Sequence, residues 1–141
     1  MADQNQLDLI HLRTALDYAT LSKAVRKKAG AVLVTNQGII IPGFNGTPRG
    51  VDNNCENIVD GLLVTKPIVV HAELNCVLKA AREGVSIIGS TIYTSLSPCE
   101  SCSAMLIQDG VGRVVYLEEY RITTGIDLLR SANIPVQQLV L

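Results

Sequence analysis

From residue 71 onward the sequence alternates helix-like and strand-like runs, and that alternation leaves the chain few folds to choose from. "HAELNCVLKAARE" (71–83) reads as a helix that stops at Gly84, a residue suited to a left-handed C-terminal cap. "STIYTSL" (90–96) is strand-like, and a second helix opens at Pro98 and runs through "CESCSAMLIQDG". "RVVYLE" (113–118), "TGIDLLRSA" and "PVQQLVL" continue as strand, helix and strand. Strands alternating with helices predict an α/β sandwich whose sheet is largely parallel in this half. Upstream, residues 7–24 carry Leu9, Leu12, Leu16 and Ala19 at helical spacing and predict a first helix. "GAVLVT" (30–35), the turn "NQG" and "IIIPGF" (39–44) predict a hairpin, with Pro42 marking an edge or a strand end. Residues 45–67 are rich in Gly, Asn, Asp and Pro, with only a weak apolar patch at "IVDGLLV", and are expected to be mostly a long loop.

With 141 residues, 48% of them hydrophobic, the chain is expected to form one domain, 1–141, with a substantial core. A formal net charge of −1 argues against a nucleic-acid-binding surface. No run approaches the roughly 18 apolar residues of a membrane span, and "MADQNQLDLI" lacks the basic start and apolar centre of a secretion signal. Four cysteines are then expected to stay reduced, in a cytoplasmic protein, where paired cysteines hold metal or do redox work.

The strongest chemical signal is "PCESC" (98–102). A Cys-x-x-Cys opening a helix puts Cys99 and Cys102 on neighbouring turns, and the helix N-terminus favours their thiolates. Alone, it fits a redox pair as well as a metal site. His71 shifts the balance, because it too sits at a helix start. One histidine with two cysteines leaves the fourth corner of a tetrahedral zinc open, the mark of a catalytic centre. Glu73 lies roughly 200° around the helix from His71, poorly placed as a co-ligand but suited to handling protons beside the metal. Each residue alone has a plainer reading: a helix-start histidine, a first-turn carboxylate. The combination H-x-E…P-C-x-x-C is the mark of the zinc nucleobase deaminases.

On these motifs, together with "AGAVLV" (29–34), "GFNGTPRG" (43–50), "HAELN" (71–75), "TSLSPCESC" (94–102), "VVYLEEY" (114–120) and "LLRSANI" (128–134), the chain resembles the cytidine-deaminase superfamily and, within it, the deoxycytidylate deaminases. The resemblance implies a three-layer α/β/α sandwich on a five-stranded mixed sheet, commonly assembled as a hexamer. It implies hydrolysis of dCMP, and also of dCTP, to the uracil nucleotide and ammonia, supplying dUMP for thymidylate synthesis. His71, Cys99 and Cys102 would hold Zn2+, and Glu73 would shuttle protons. Asn45, Ala72, Ser97, Tyr120 and Arg26 would meet the substrate. Phe44 stands where the family usually has tyrosine, removing a hydroxyl. The resemblance further implies an allosteric site that binds dCTP as activator and dTTP as inhibitor, with Mg2+. Lys28, Gly46, Thr47, Arg49, Lys79 and Arg82 are candidates for it or for the phosphate, although Lys79 replaces an aromatic found in relatives. Cys55 is expected to be a free loop thiol rather than part of a second zinc site, and Cys76 to be helix packing. A tRNA adenosine or free cytidine deaminase, a non-catalytic zinc or nucleotide-binding protein, and a redox protein are the rival readings.

Overall fold

The structure, a computed structural model, describes residues 3–141. Met1 and Ala2 of the expected 1–141 domain lie outside the described residues. The elements are α1 (Gln4–Ala19), β1 (Gly30–Val34), β2 (Ile40–Phe44), β3 (Glu56–Val59), β4 (Leu62–Thr65), α2 (Ala72–Glu83), β5 (Thr91–Leu96), α3 (Glu100–Gln108), β6 (Arg113–Glu118), α4 (Thr124–Ser131) and β7 (Val136–Gln138). Five strands form one mixed sheet in the order β2-β1-β5-β6-β7. β1 pairs antiparallel with β2 and β5, whereas β5, β6 and β7 run parallel. Pro42 lies within β2, an edge strand, where its missing N–H leaves no gap in the sheet.

Alternation along the strands sets the layers. Val32, Tyr93 and Val115 point to one face and pack on Leu12 and Ala15 of α1. Their neighbours Leu33, Ile92 and Val114 point to the other face, onto Ala72, Cys76, Val77 and Ala80 of α2, Leu106 of α3 and Leu129 of α4. Cys76 is thus core packing, as expected. α2 ends at Gly84, whose φ of 67° is the left-handed cap foreseen from the sequence.

Two expectations needed correction. The first helix runs over residues 4–19, not 7–24. Asp3 caps it early by accepting a hydrogen bond from the Asn5 N–H, and the helix ends in a tightened last turn, where Thr20, Leu21 and Ser22 N–H donate to the carbonyls three residues back and the Ser22 hydroxyl donates to the Asn45 carbonyl. Residues 45–67 are not mostly loop, since they contain the β3–β4 hairpin. Asp60 and Gly61 both take positive φ, 50° and 76°, the geometry a two-residue hairpin turn demands. This hairpin lacks apolar–polar alternation: Ile58, Val59, Leu62 and Leu63 are all exposed, so no period of two marked it.

Candidate active site and metal centre

Two helix N-termini meet at the carboxyl end of β5. His71 is the N-cap residue of α2, held in extended backbone, and Cys99 is the N-cap residue of α3. The Cys99 Sγ accepts a hydrogen bond from the Cys102 backbone N–H at 3.5 Å, so one thiol caps the helix that carries the other. His71 Nδ1 lies 3.2 Å from Cys102 Sγ and 3.5 Å from Cys99 Sγ. All three ligand atoms fall within 4.8 Å of one another. Hydrogen bonding from Cys102 and His71 pulls the Cys99 thiol far below its ordinary range, whereas the bond to Cys99 pushes Cys102 up. His71 is raised chiefly by its bond to Cys99. Two cysteine sulfurs and an imidazole nitrogen close enough to share one ion are a donor set that fits zinc.

Close backbone contacts fix this geometry. α2 lies so near β2 that a Cβ on Gly43 would come within 2.8 Å of the Ala72 carbonyl oxygen. A Cβ on Gly125 would strike the Pro98 carbonyl oxygen and lie 2.8 Å from the Cys99 carbonyl. Gly125 is the second residue of α4, whose first turn therefore buttresses the Cys99 backbone directly. Gly125→Ala is accordingly expected to displace Cys99 and weaken zinc retention by about 10-fold or more, read by competition with a chromogenic chelator. Unchanged retention would show that the buttress has slack.

Glu73, 5% exposed, faces the same cavity, and burial raises its carboxyl above the ordinary range. That cavity, about 150 Å³, is also lined by Arg26, Lys27, Ala29, Asn45, Thr65, Val69, Ala72, Leu96, Ser97 and Tyr120. Every residue expected to meet substrate therefore reaches it. The Ser97 Oγ accepts from the Tyr120 N–H at 2.7 Å, fixing the strand-end tyrosine at the rim. The Asn45 Oδ1 accepts from the Ala29 N–H, and its Nδ2 donates to the Lys27 carbonyl, each at 2.9 Å.

A second cavity, about 380 Å³, lies behind the Gly-rich turn and brings together Gly46, Thr47, Arg49, Lys79 and Arg82. Phe44 also borders it. The Lys79 Nζ donates to the Pro42 carbonyl at 2.7 Å. Lys28 lines neither cavity; Lys27, its neighbour, enters the first one and pairs with Glu118 at 2.7 Å. In the irregular segment 22–29 no sequence period says which lysine turns inward. Thr65 and Val69 were missed for another reason: they belong to the hairpin and its exit, which read as loop. Cys55 is a free thiol but a buried one, packed with Ala24 and Val69, while His11 of α1 lies against the Tyr93 ring of β5.

Comparison with known proteins bears on the chemistry of this arrangement. The family signature described as the cytidine and deoxycytidylate deaminase zinc-binding region matches residues 5–118. The deoxycytidylate deaminase of Enterobacteria phage T2 is 35% identical, over 82% of this chain and 82% of its own. That of Saccharomyces cerevisiae is 32% identical over 93% of this chain, which spans 44% of the yeast protein. A crystal structure of dCMP deaminase from the cyanophage S-TIM5, in complex with dCMP and dUMP, superposes with a TM-score of 0.88 at 41% identity, covering 95% of this chain and 97% of that one.

Proposed function

The chain belongs to the cytidine and deoxycytidylate deaminase family, and from that premise we propose that it is a zinc enzyme hydrolysing dCMP to dUMP and ammonia. The observation that carries the reading is the convergence of His71, Cys99, Cys102 and Glu73 on one cavity that also holds two cations, Arg26 and Lys27. The cyanophage relative, similar over nearly its whole length, was crystallised with both dCMP and dUMP.

His71, Cys99 and Cys102 would hold Zn2+, which when bound would supply Lewis acidity that lowers the pKa of water towards about 7. Glu73 accepts the proton that the attacking water gives up and delivers it to N3 of the cytosine. It then carries the second proton from the oxygen at C4 to the departing amine, which leaves as ammonia. A carboxyl whose burial favours its neutral form is suited to holding each proton in transit. Asn45 keeps one N–H and one lone pair free after bonding the backbone, enough to contact the base and sugar. Tyr120, with Ser97 and Ala72, forms the wall against which the nucleotide rests. Arg26 and Lys27 take the 5′-phosphate, Lys27 standing in for Lys28 among the cations expected there.

The second cavity is the counterpart in this reading of the allosteric site, with Arg49, Lys79 and Arg82 as cations for a triphosphate carrying Mg2+. dCTP would activate and dTTP inhibit there, and dCTP would be a second substrate at the first cavity. We place the 1–141 domain in a cytoplasmic homo-hexamer; exposed Ile58, Leu62 and Ile88 supply apolar surface for subunits to cover. No described helix is long and apolar enough to cross a membrane.

The test is ammonia release from dCMP, dCTP, deoxycytidine and cytosine by zinc-loaded protein, each with and without dCTP or dTTP as effector. The expected outcome is a kcat/KM for dCMP about 100-fold or more above that for deoxycytidine, because the nucleoside forgoes the binding energy of the phosphate. Ammonia from none of the four would end the deaminase reading. Rates unmoved by either triphosphate would remove the effector assignment while leaving the catalytic one.

A further inference from the structure

Glu56 stands at the start of the β3–β4 hairpin, 6% exposed, and pairs with no lysine or arginine side chain among the described residues. A buried carboxylate costs several kcal/mol unless its charge is met. Here it is met by backbone: the Glu56 Oε2 accepts from the consecutive N–H groups of Val25 and Arg26, at 2.9 and 3.1 Å. Successive amides converging on one oxygen form an anion-holding nest, and the anion is a side chain of the hairpin. Directly across the strand pair from Glu56, Thr65 accepts at its Oγ1 from the Arg26 Nη1 at 3.2 Å, so the same end of the hairpin holds both the backbone and the guanidinium of Arg26. The base is anchored as well. Cys55 packs on Ala24 and Val69, and the Lys66 N–H donates to the Cys55 carbonyl at 2.8 Å.

We infer that Glu56, assisted by Thr65, is a positioning residue for nucleotide recognition: it fixes the backbone of residues 25 and 26 so that Arg26 meets the substrate's phosphate at the mouth of the metal cavity. This rests on the reading of Arg26 as a phosphate contact. The hairpin is then a strut, and its cost in exposed apolar surface is explained by what its base holds. Without Glu56, two amides lose their acceptor and the segment carrying Arg26 is free to move. The metal triad and Glu73, on α2 and α3, make none of these contacts.

The test compares KM and kcat for dCMP in Glu56→Ala, Glu56→Gln, Thr65→Val and Arg26→Ala, alone and as the pair Glu56→Ala with Arg26→Ala, with zinc content measured for each. Glu56→Ala is expected to raise KM by about 10-fold with kcat within about 2-fold of wild type. Glu56→Gln keeps an acceptor oxygen at the same place and is expected to restore much of that loss. In the Arg26→Ala background, Glu56→Ala should change KM by less than about 2-fold, since its effect runs through a side chain already gone. Additive effects of the two substitutions, or a fall in kcat with zinc loss, would overturn the inference. Should Glu56→Ala fail to fold, Thr65→Val decides: a KM equal to wild type would overturn it, and a raised KM at constant kcat would support it. Wild-type protein inactive on dCMP would instead defeat the functional reading, a separate outcome.

Discussion

Glu73→Gln is expected to lower kcat for dCMP by about 10³-fold while leaving zinc content and folding intact. The substitution preserves the size of the side chain, so the packing of α2 against β2 at Gly43 is undisturbed. It removes the carboxylate that lines the cavity beside the His71–Cys99–Cys102 triad and can both take and return a proton there. Burial of a neutral amide is also less costly than burial of a carboxylate, so the variant should unfold no earlier than wild type. The measurement is steady-state ammonia release beside metal analysis and a thermal melt. Turnover within 10-fold of wild type would remove Glu73 from the proton path; lost zinc would mean that it supports the metal instead.

The second large effect concerns stability, far from the cavity. Asp8 on α1 is 1% exposed and accepts hydrogen bonds from the Tyr93 hydroxyl at 2.6 Å, from Gln4, and from both Nη1 and Nη2 of Arg113, at 2.9 and 2.7 Å. These contacts tie α1 to β5 and β6. Burial by itself would raise the Asp8 carboxyl, but the bonds from Arg113, Tyr93 and Gln4 more than offset it and hold it at about 2. Asp8→Ala leaves Arg113 and the Tyr93 hydroxyl without their anion and is expected to destabilise by about 3–5 kcal/mol at pH 7. The sign with pH follows from the depressed value: the group's contribution is fully present above its unfolded pKa of about 3.9 and is lost as pH falls towards 2. The part due to ionisation amounts to about 2–3 kcal/mol. Urea unfolding of wild type and variant should therefore show a gap that narrows by that amount between pH 5 and pH 2. A gap independent of pH would mean that the carboxylate's charge contributes nothing.

Much of the site was legible in the sequence because its parts are local. Cys99 and Cys102 stand one turn apart at the head of one helix, and His71 and Glu73 sit at the head of another, so each half showed in its spacing and the two together made the motif. Helix and strand types followed from periodicity, down to the left-handed cap at Gly84. The hairpin escaped, although Asp60-Gly61 was a turn signal, because its apolar residues occupy both faces and so show no alternation.

The sequence by itself pointed to His71, Cys99 and Cys102 as candidate ligands, to Glu73 as the carboxylate beside them, and to the element that presents each, since all of these depend on neighbours within a turn or two. Only the tertiary structure decided that Lys27 rather than Lys28 enters the cavity, that Gly125 supports the Cys99 backbone, and that Glu56 holds the segment bearing Arg26. Those facts depend on contacts between residues far apart in the chain, 30 positions from Arg26 to Glu56. Irregular backbone has no repeat from which such a meeting can be read, so it is settled by which polar groups can satisfy one another once the sheet and helices have packed.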